Sequence, residues 1–252
     1  MTPDLKQFSY DSETKLYLPH RLISNIASLV AKTGVDKSKM YQLTGQNYDH
    51  ISNFFTNRNL EKSSFVESEI CTHLTKNLAS DSRILDIGCG SGVYSQFMAR
   101  QGFSVTGIDI SAAQITNALK NDLENLTLIN ENIITWDNEG RKFDGVLMNS
   151  MLQYILKSDV LNLLSKVRGM LTEDGKIFLI VKINQESTED FVIKRSHDKA
   201  SSKIISRYTL LEYLMLFEQA GLDVLHSQKH PHDNHPDQPF VHIVLKKKKQ
   251  DN

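Results

Sequence analysis

Residues 86–92 read D-I-G-C-G-S-G, an aspartate followed by three glycines in five positions. Glycine has no Cβ, so the chain can turn with positive φ and bring bare backbone against a ligand. Two kinds of cofactor are held by such turns: nicotinamide dinucleotides and S-adenosylmethionine (SAM). A dinucleotide turn needs G-x-G-x-x-G. Counted from Gly88, the third required glycine falls on Val93, so the pattern misses by one place. The aspartate ahead of the turn, Asp86, is also unusual for a dinucleotide loop. The plain alternative is a strand-to-helix bend that binds nothing.

The elements around the turn favour a ligand. Apolar runs at 83–87, 103–109, 126–130, 143–149 and 176–183 predict strands. Helical patterns separate several of them, at 92–101, 111–121 (capped by Ser111) and 159–171. A further helix at 209–220 ends on Gly221, and strands at 222–227 and 240–246 close the chain. Alternation of strand and helix implies parallel crossovers and a doubly wound α/β sheet. Only the final pair of strands, with no helix between them, must be antiparallel. In such a sheet ligands bind beyond the carboxyl ends of the strands, where the glycine turn lies. Residues 1–60 read as a helical lid segment, with one amphipathic stretch at 19–32 and an aromatic, polar stretch at 48–55. Residues 61–252 form the main domain, with a substrate region at 184–240.

Composition narrows the partners. The chain has 252 residues, 29 Lys plus Arg and 30 Asp plus Glu, for a net charge of −1. A nucleic-acid binder usually carries a basic excess, so none is expected as a partner. No apolar run approaches a membrane span, and the first residues lack a signal-peptide core. The two cysteines, Cys71 and Cys89, read as reduced thiols, which suits the cytoplasm. A monomer or a homodimer is expected.

The D-I-G-C-G-S-G stretch resembles motif I of the class I SAM-dependent methyltransferases, and motif order follows that family over roughly residues 60–246. The resemblance implies a Rossmann-like doubly wound sheet of seven strands, the last antiparallel, with SAM as cofactor. It places Gly88, Gly90 and Gly92 under the cofactor. Asp109, with Ile110 beside it, ends the second strand, where a carboxylate can accept both ribose hydroxyls. Asn132 can bond the adenine edge and Ile133 can cover its face. Asn149 and Ser150 lie next to the methionine moiety, and Asp86 can face its ammonium group.

Methyl transfer from a sulfonium is an in-line displacement, so alignment and exclusion of water are the protein's main tasks. The exit of the fourth strand, N-S-M-L-Q-Y, lacks the N-P-P-Y signature of enzymes that methylate planar amino groups. The C-terminal part has a more distant resemblance to the protein α-N-terminal methyltransferases. On it, Asn184 holds a substrate amine, and Asp198 or Asp190 accepts its proton. Ser150 and Met151 stand where that family has tryptophan. Its cofactor-binding arginine is replaced near Val93, which leaves Tyr41, Tyr48 and Arg58 as candidates for the SAM carboxylate. His197 beside Asp198 is a possible acid–base pair, against the plainer reading of a solvated loop. Tyr154 and Tyr208 are pocket candidates. His230, His232 and His235 are metal-ligand types, but prolines break their spacing and methyl transfer needs no metal, so none is expected. The acceptor is a small molecule or an amine-bearing peptide. The alternatives are an NAD-linked oxidoreductase and a SAM-binding module without transfer.

Overall fold

Five short apolar runs become the parallel part of a single seven-stranded sheet. The structure is a computed structural model that describes residues 27–52, 74, 78–118, 123–196, 199–230 and 240–249. Strand β1 (Arg83–Ile87) lies in its interior, buried in all but its first residue. It pairs in parallel with β2 (Ser104–Asp109) on one side and β4 (Phe143–Asn149) on the other. Beyond β2 lies β3 (Leu126–Asn130), and beyond β4 lies β5 (Leu171–Lys182). The chain therefore builds outward from β1, then crosses back to start again at β4. The order reverses between β1 and β4, which opens a crevice at their carboxyl ends. The last strand, β9 (Phe240–Lys247), is antiparallel to β5 and to the edge strand β8 (Leu222–His230). The full order is β3-β2-β1-β4-β5-β9-β8.

Helices cover both faces. Helix α2 (Val93–Arg100) leaves the glycine turn, and α3 (Ala112–Ala118) follows β2. Helix α4 (Lys157–Met170) buries Val160, Leu163, Leu164 and Val167, and helix α5 (Leu210–Gln219) packs beside it. Thr209 and Glu212 form a reciprocal capping box at the start of α5, which fixes that boundary. Two apolar clusters result. The larger joins the β1–β9 face to α4, α5 and Tyr41; the smaller packs Met98, Ala99 and Phe103 on the other face.

The structure departs from the sequence reading in three places. Residues 184–240 read as a substrate region without strands before 222, yet residues 188–207 form a separate antiparallel hairpin of β6 (Thr188–Ser196) and β7 (Lys199–Arg207). The strand read at 176–183 begins at Leu171 instead, so Asp174 and Gly175 lie inside β5, beside a shift of register between Phe143 and Gly145. The stretch from Tyr48 does not stand alone either. Tyr48 belongs to a long helix, α1 (Lys37–His50), whose N-cap Asp36 accepts from Lys39 N at 2.9 Å. Its buried face is Met40, Tyr41, Thr44, Gly45 and Asn47. That spacing is helical, but three of the five are polar or lack a side chain, so no apolar stripe shows in the sequence.

Polar contacts rather than an apolar stripe fix α1 in place. The Tyr41 hydroxyl donates to Asp159 Oδ2 at 2.8 Å and accepts from Leu156 N at 3.1 Å. Lys37 pairs with the same Asp159. Thr44 Oγ1 accepts from Ile204 N at 3.1 Å. Burial pushes the Tyr41 phenol far above its ordinary range, with Asp159 adding to it, so it stays a neutral donor. Replacing Tyr41→Phe leaves the buried Leu156 N–H and one Asp159 oxygen without this partner. Such losses cost about 1–3 kcal/mol. Urea unfolding should show a lower midpoint with an unchanged slope.

Candidate active site at the sheet crevice

The glycine turn is shaped by close packing on two sides and open space on the third. Gly88, Gly90 and Gly92 have φ of 74°, 55° and 71°. Gly88 N and Cys89 N both donate to Ile108 O, at 2.8 and 3.2 Å, which pins the turn to β2. A Cβ on Gly92 would stand 2.9 Å from Ala118 Cβ, so that glycine serves helix packing. A Cβ on Gly90 would meet nothing nearer than Gln114 Oε1 at 4.0 Å. Gly90 therefore turns bare backbone toward open space, as a ligand-facing position requires.

One carboxylate ties this turn to the next. Asp109 Oδ2 accepts from Gly90 N at 2.9 Å, and Oδ1 accepts from Ser111 N at 2.8 Å. Burial raises its pKa, opposed by these two N–H donors. Its side chain nevertheless remains half-buried at the crevice, with lone pairs left for two hydroxyls. Ser111 caps α3 by accepting from Gln114 N at 3.2 Å. Its own hydroxyl donates to Asp49 of α1 at 2.6 Å, and Asp49 also accepts from Ala113 N at 3.0 Å. Gly45 of α1 lies against Ile110. Thus α1 roofs the Asp109–Ile110 end of the crevice.

Asp86 is in a different setting. It is 1 % exposed and accepts from Ser95 Oγ at 2.6 Å. Burial pushes its pKa up to about 7, against the Ser95 hydrogen bond and helped by the nearby Asp109 charge. It thus sits behind the turn as a titratable carboxyl rather than on the crevice surface.

At the far side, the exit of β4 turns sharply. Asn149 is half-buried, and Ser150 adopts φ of 53°, held by Ser150 N donating to Ile180 O at 2.8 Å. Asn149 Oδ1 accepts from Ser150 Oγ at 3.0 Å. A short 3-10 turn, Leu152–Tyr154, follows. It sets the Tyr154 ring edge-on to Tyr48 of α1, with centroids 5.2 Å apart. Burial raises the Tyr48 phenol well above its ordinary pKa, with Tyr154 and Asp109 adding to it. Tyr154 also borders a pocket of about 170 Å³ lined by Gln153, Asn184, Lys203, Ile205 and Arg207, among others. Tyr154 thus stands between the crevice and the pocket.

Most of the predicted cofactor residues therefore gather at one crevice. Asn132 and Ile133 follow β3; Asn132 Oδ1 accepts from Ile134 N at 3.0 Å, and Ile133 is buried in the larger apolar cluster. Asn184 and Tyr154 meet in the pocket, where Asn184 N donates to Tyr208 O at 2.9 Å. Tyr208 does not line that pocket; it is 1 % exposed and packs on Tyr213 at 4.9 Å. Tyr41 is committed to Asp159 rather than turned to the crevice. His197, Asp198, Arg58, His232 and His235 lie outside the described residues, as does the side chain of His230. Among the described residues no group of metal-ligand side chains comes together.

Sequence reasoning missed several residues. Asp49 of α1 bonds the start of α3, where Gln114 lies, and Asn47 is on the buried face of α1; the signal available was only their helical spacing. Asn47 Nδ2, Ser91 Oγ and Gln114 Oε1 are buried without a hydrogen-bond partner in the protein. Orphaned polar atoms are costly unless a ligand or water satisfies them. An open glycine, a half-buried carboxylate and unsatisfied donors and acceptors are the groups that a ribose and an amino-acid end of SAM would engage, so the residues fit the cofactor. Lys203 and Arg207 were missed as pocket residues because they sit on the unrecognised hairpin.

A doubly wound sheet with this glycine turn and acidic strand end defines the class of the SAM-dependent methyltransferases. The chain belongs to the family whose model is described as a methyltransferase domain, which matches residues 63–227. S-adenosylmethionine is accordingly its cofactor. One relative is the ubiquinone biosynthesis O-methyltransferase of Pasteurella multocida, 32 % identical over 115 residues, which are 40 % of this chain and 47 % of that protein. The chain spans less than half the length of the curated relatives it matches first. Among solved structures, the Burkholderia thailandensis 1,6-didemethyltoxoflavin-N1-methyltransferase, with its namesake ligand and S-adenosylhomocysteine bound, has a TM-score of 0.61 at 19 % identity. That alignment covers 81 % of this chain and 88 % of the other. The [4+2]-cyclase SpnF has a TM-score of 0.66 at 14 % identity, covering 84 % and 98 %. These two likenesses concern the fold.

Two substitutions separate packing from binding. Gly90→Ala adds a methyl into open space at positive φ, a strain of about 1–2 kcal/mol. It should weaken S-adenosylhomocysteine binding in calorimetry more than it lowers the melting temperature. Gly92→Ala adds the Ala118 clash and should lower the melting temperature more than Gly90→Ala does.

Asp86 makes stability depend on pH. In an unfolded chain its carboxyl titrates near 3.9, and in the fold near 7. The folded state holds the proton more tightly, so this contribution is complete below about pH 4 and is lost as pH rises through about 7. Asp86→Asn should flatten the fall in unfolding free energy across that window, read by denaturation at stepped pH without cofactor. An unchanged slope would remove Asp86 as its source.

Proposed function

We propose that the chain transfers the methyl group of SAM to a small molecule seated in the pocket beside Tyr154 and Asn184. The observation that carries this reading is the place of Tyr154. Its ring meets that of Tyr48, whose phenol feels the Asp109 charge, and Tyr154 also lines the pocket. A methyl donor in the crevice and an acceptor in the pocket would be neighbours.

In this reading Asp109 takes the ribose hydroxyls, with Ile110 under α1 and Ile133 flanking the adenine and Asn132 at its edge. Gly88, Gly90 and Gly92 supply close backbone approach. Asn149 borders the methionine end. Asp86 supplies negative potential behind the turn, which favours the ammonium group without touching it. The cofactor supplies a methyl on a positively charged sulfur, which needs no further activation. The protein's part is to align the acceptor and keep water out. Tyr48 and Tyr154 form a wall against solvent, and Asn184 and Gln153 orient the acceptor by hydrogen bonds. An acceptor held by Asn184 and Gln153 would take that methyl with its own lone pair, and the electrons of the former carbon–sulfur bond would stay with the departing cofactor. An acceptor that arrives deprotonated needs no base. For one that does not, His197 with Asp198 stays the candidate pair.

Residues 1–60 act as the cover and 61–252 as the transfer domain, with 184–240 as the substrate region. A protein α-amine is the less favoured acceptor. Asn184 shares its pocket with Lys182, Lys203 and Arg207, and like charges oppose a cationic peptide end. The reading of both cysteines as reduced thiols keeps the cytoplasm as the proposed compartment, and the protein acts as a monomer or a homodimer. Among the described residues no helix is long and apolar enough to cross a membrane.

Methyl-labelled SAM with fractionated cell extract tests the reading. Label should appear in a small-molecule fraction, and X-Pro-Lys peptides should gain no mass. Label confined to polypeptide would reverse the choice of acceptor. S-adenosylhomocysteine should give binding heat and NAD none. Binding without turnover in any fraction would reduce the protein to a SAM-binding module.

A further inference from the structure

The pocket next to Tyr154 is unusually cationic for its size. At about 170 Å³ it is smaller than the roughly 300 Å³ at which sites for whole drug-sized ligands begin, so it holds one end of a molecule. Lys182, Lys203 and Arg207 all line it. Two of them come from one face of β7, since residues 203, 205 and 207 alternate to the same side. Ile205 between them gives an apolar floor. Lys182 comes from the carboxyl end of β5. The charges are held rather than free to swing away. Lys203 Nζ lies 5.6 Å from the centre of the Tyr154 ring, and Lys182 Nζ lies 5.1 Å from that of Phe240. Arg207 Nη1 donates to Thr188 Oγ1 at 3.1 Å and stands 3.8 Å from Asp190 Oδ2. Asn184 and Gln153 add neutral amides to the same lining.

We propose that this pocket selects acceptors bearing an anionic group, a carboxylate or a phosphate, which Lys203, Arg207 and Lys182 hold. This deepens the methyl-transfer reading above and rests on it. Arg207 can offer a planar fork to either anion, and the two ammonium groups add point charges without demanding one geometry. With the anion held at the β7 wall, the remainder of the acceptor extends past Tyr154 toward the crevice. The anion thus sets orientation, and the reacting atom lies at the other end of the acceptor.

The test uses the full chain saturated with S-adenosylhomocysteine and three probes: inorganic phosphate, benzoate, and neutral benzyl alcohol. Binding is read by calorimetry or ligand-observed NMR. Phosphate or benzoate should bind, and whichever binds more tightly names the anion. Binding should weaken at least tenfold in a Lys203→Gln, Arg207→Gln double variant and also at raised salt. Benzyl alcohol should bind more weakly than benzoate and be unaffected by the double variant. Single variants give the same reading if the double variant fails to fold, which its circular dichroism and melting temperature report. The proposal is overturned if neither anion binds the wild type, or if benzyl alcohol matches benzoate. It is also overturned if the variants leave anion binding unchanged while S-adenosylhomocysteine affinity falls tenfold, because the cations would then serve the cofactor's own carboxylate. If S-adenosylhomocysteine does not bind the wild type, the methyl-transfer reading fails separately, and the anion probes are read on the protein alone.

Discussion

Asp109 joins two loops of the crevice with a single carboxylate. One oxygen takes the Gly90 N–H of the glycine turn, and the other takes the Ser111 N–H at the start of α3. The turn cannot drift from β2 while these bonds hold, and α3 cannot leave its cap. A carboxylate has about four acceptor positions, so two bonds to backbone still leave capacity for a ligand. That is why one side chain can be both a brace and a binding group. Asp86, the other acid of the motif, has the opposite environment. It is sealed behind the turn with Ser95 and titrates near neutral pH.

The roof over this crevice is held by polar contacts to three separate parts of the molecule. Asp49 reaches the start of α3, Tyr41 and Lys37 reach Asp159 of α4, and Thr44 reaches β7. Under the hairpin lies a second polar cluster. Lys157 is 1 % exposed and pairs with Glu212 at 3.0 Å, with its ammonium 4.8 Å from the Tyr208 ring. Glu189 accepts from Lys157 N and lies 3.4 Å from the Ser206 hydroxyl. Buried charges of this kind add little net stability, but breaking one partner leaves the other uncompensated. The hairpin that carries Lys203 and Arg207 is thereby fixed to the body of the domain. A rigid support is what a substrate pocket needs to keep its groups aligned.

On the proposed reading the arrangement separates the two tasks of methyl transfer. The cofactor side is built from backbone turns, one carboxylate and apolar walls. The pocket proposed for the acceptor takes part of its lining from a hairpin that belongs to neither half of the doubly wound sheet. Tyr154 and Tyr48 form the boundary between them. The first side can stay constant while the second changes its side chains, because β6 and β7 pair with each other and not with the main sheet.

The sequence by itself determined the alternation of strands and helices in the main sheet, the glycine turn, and the position of Asp109 at the end of β2; that Asp86 is sealed behind the turn was decided by the fold. The first three features depend on local rules: apolar runs, turn residues and fixed spacing within one crossover unit. Residues 188–207 escaped because a small hairpin whose faces mix Lys, Ser and Ile shows no clean alternation, and α1 escaped because Thr44, Gly45 and Asn47 occupy its buried face. Only the tertiary structure brought Tyr48 to Tyr154, Asp49 to Ser111, and Lys182 to Lys203 and Arg207. These pairs lie far apart along the chain, and no local preference couples them. Their meeting is set by which surfaces pack, and for polar residues that choice leaves no periodic trace in the sequence.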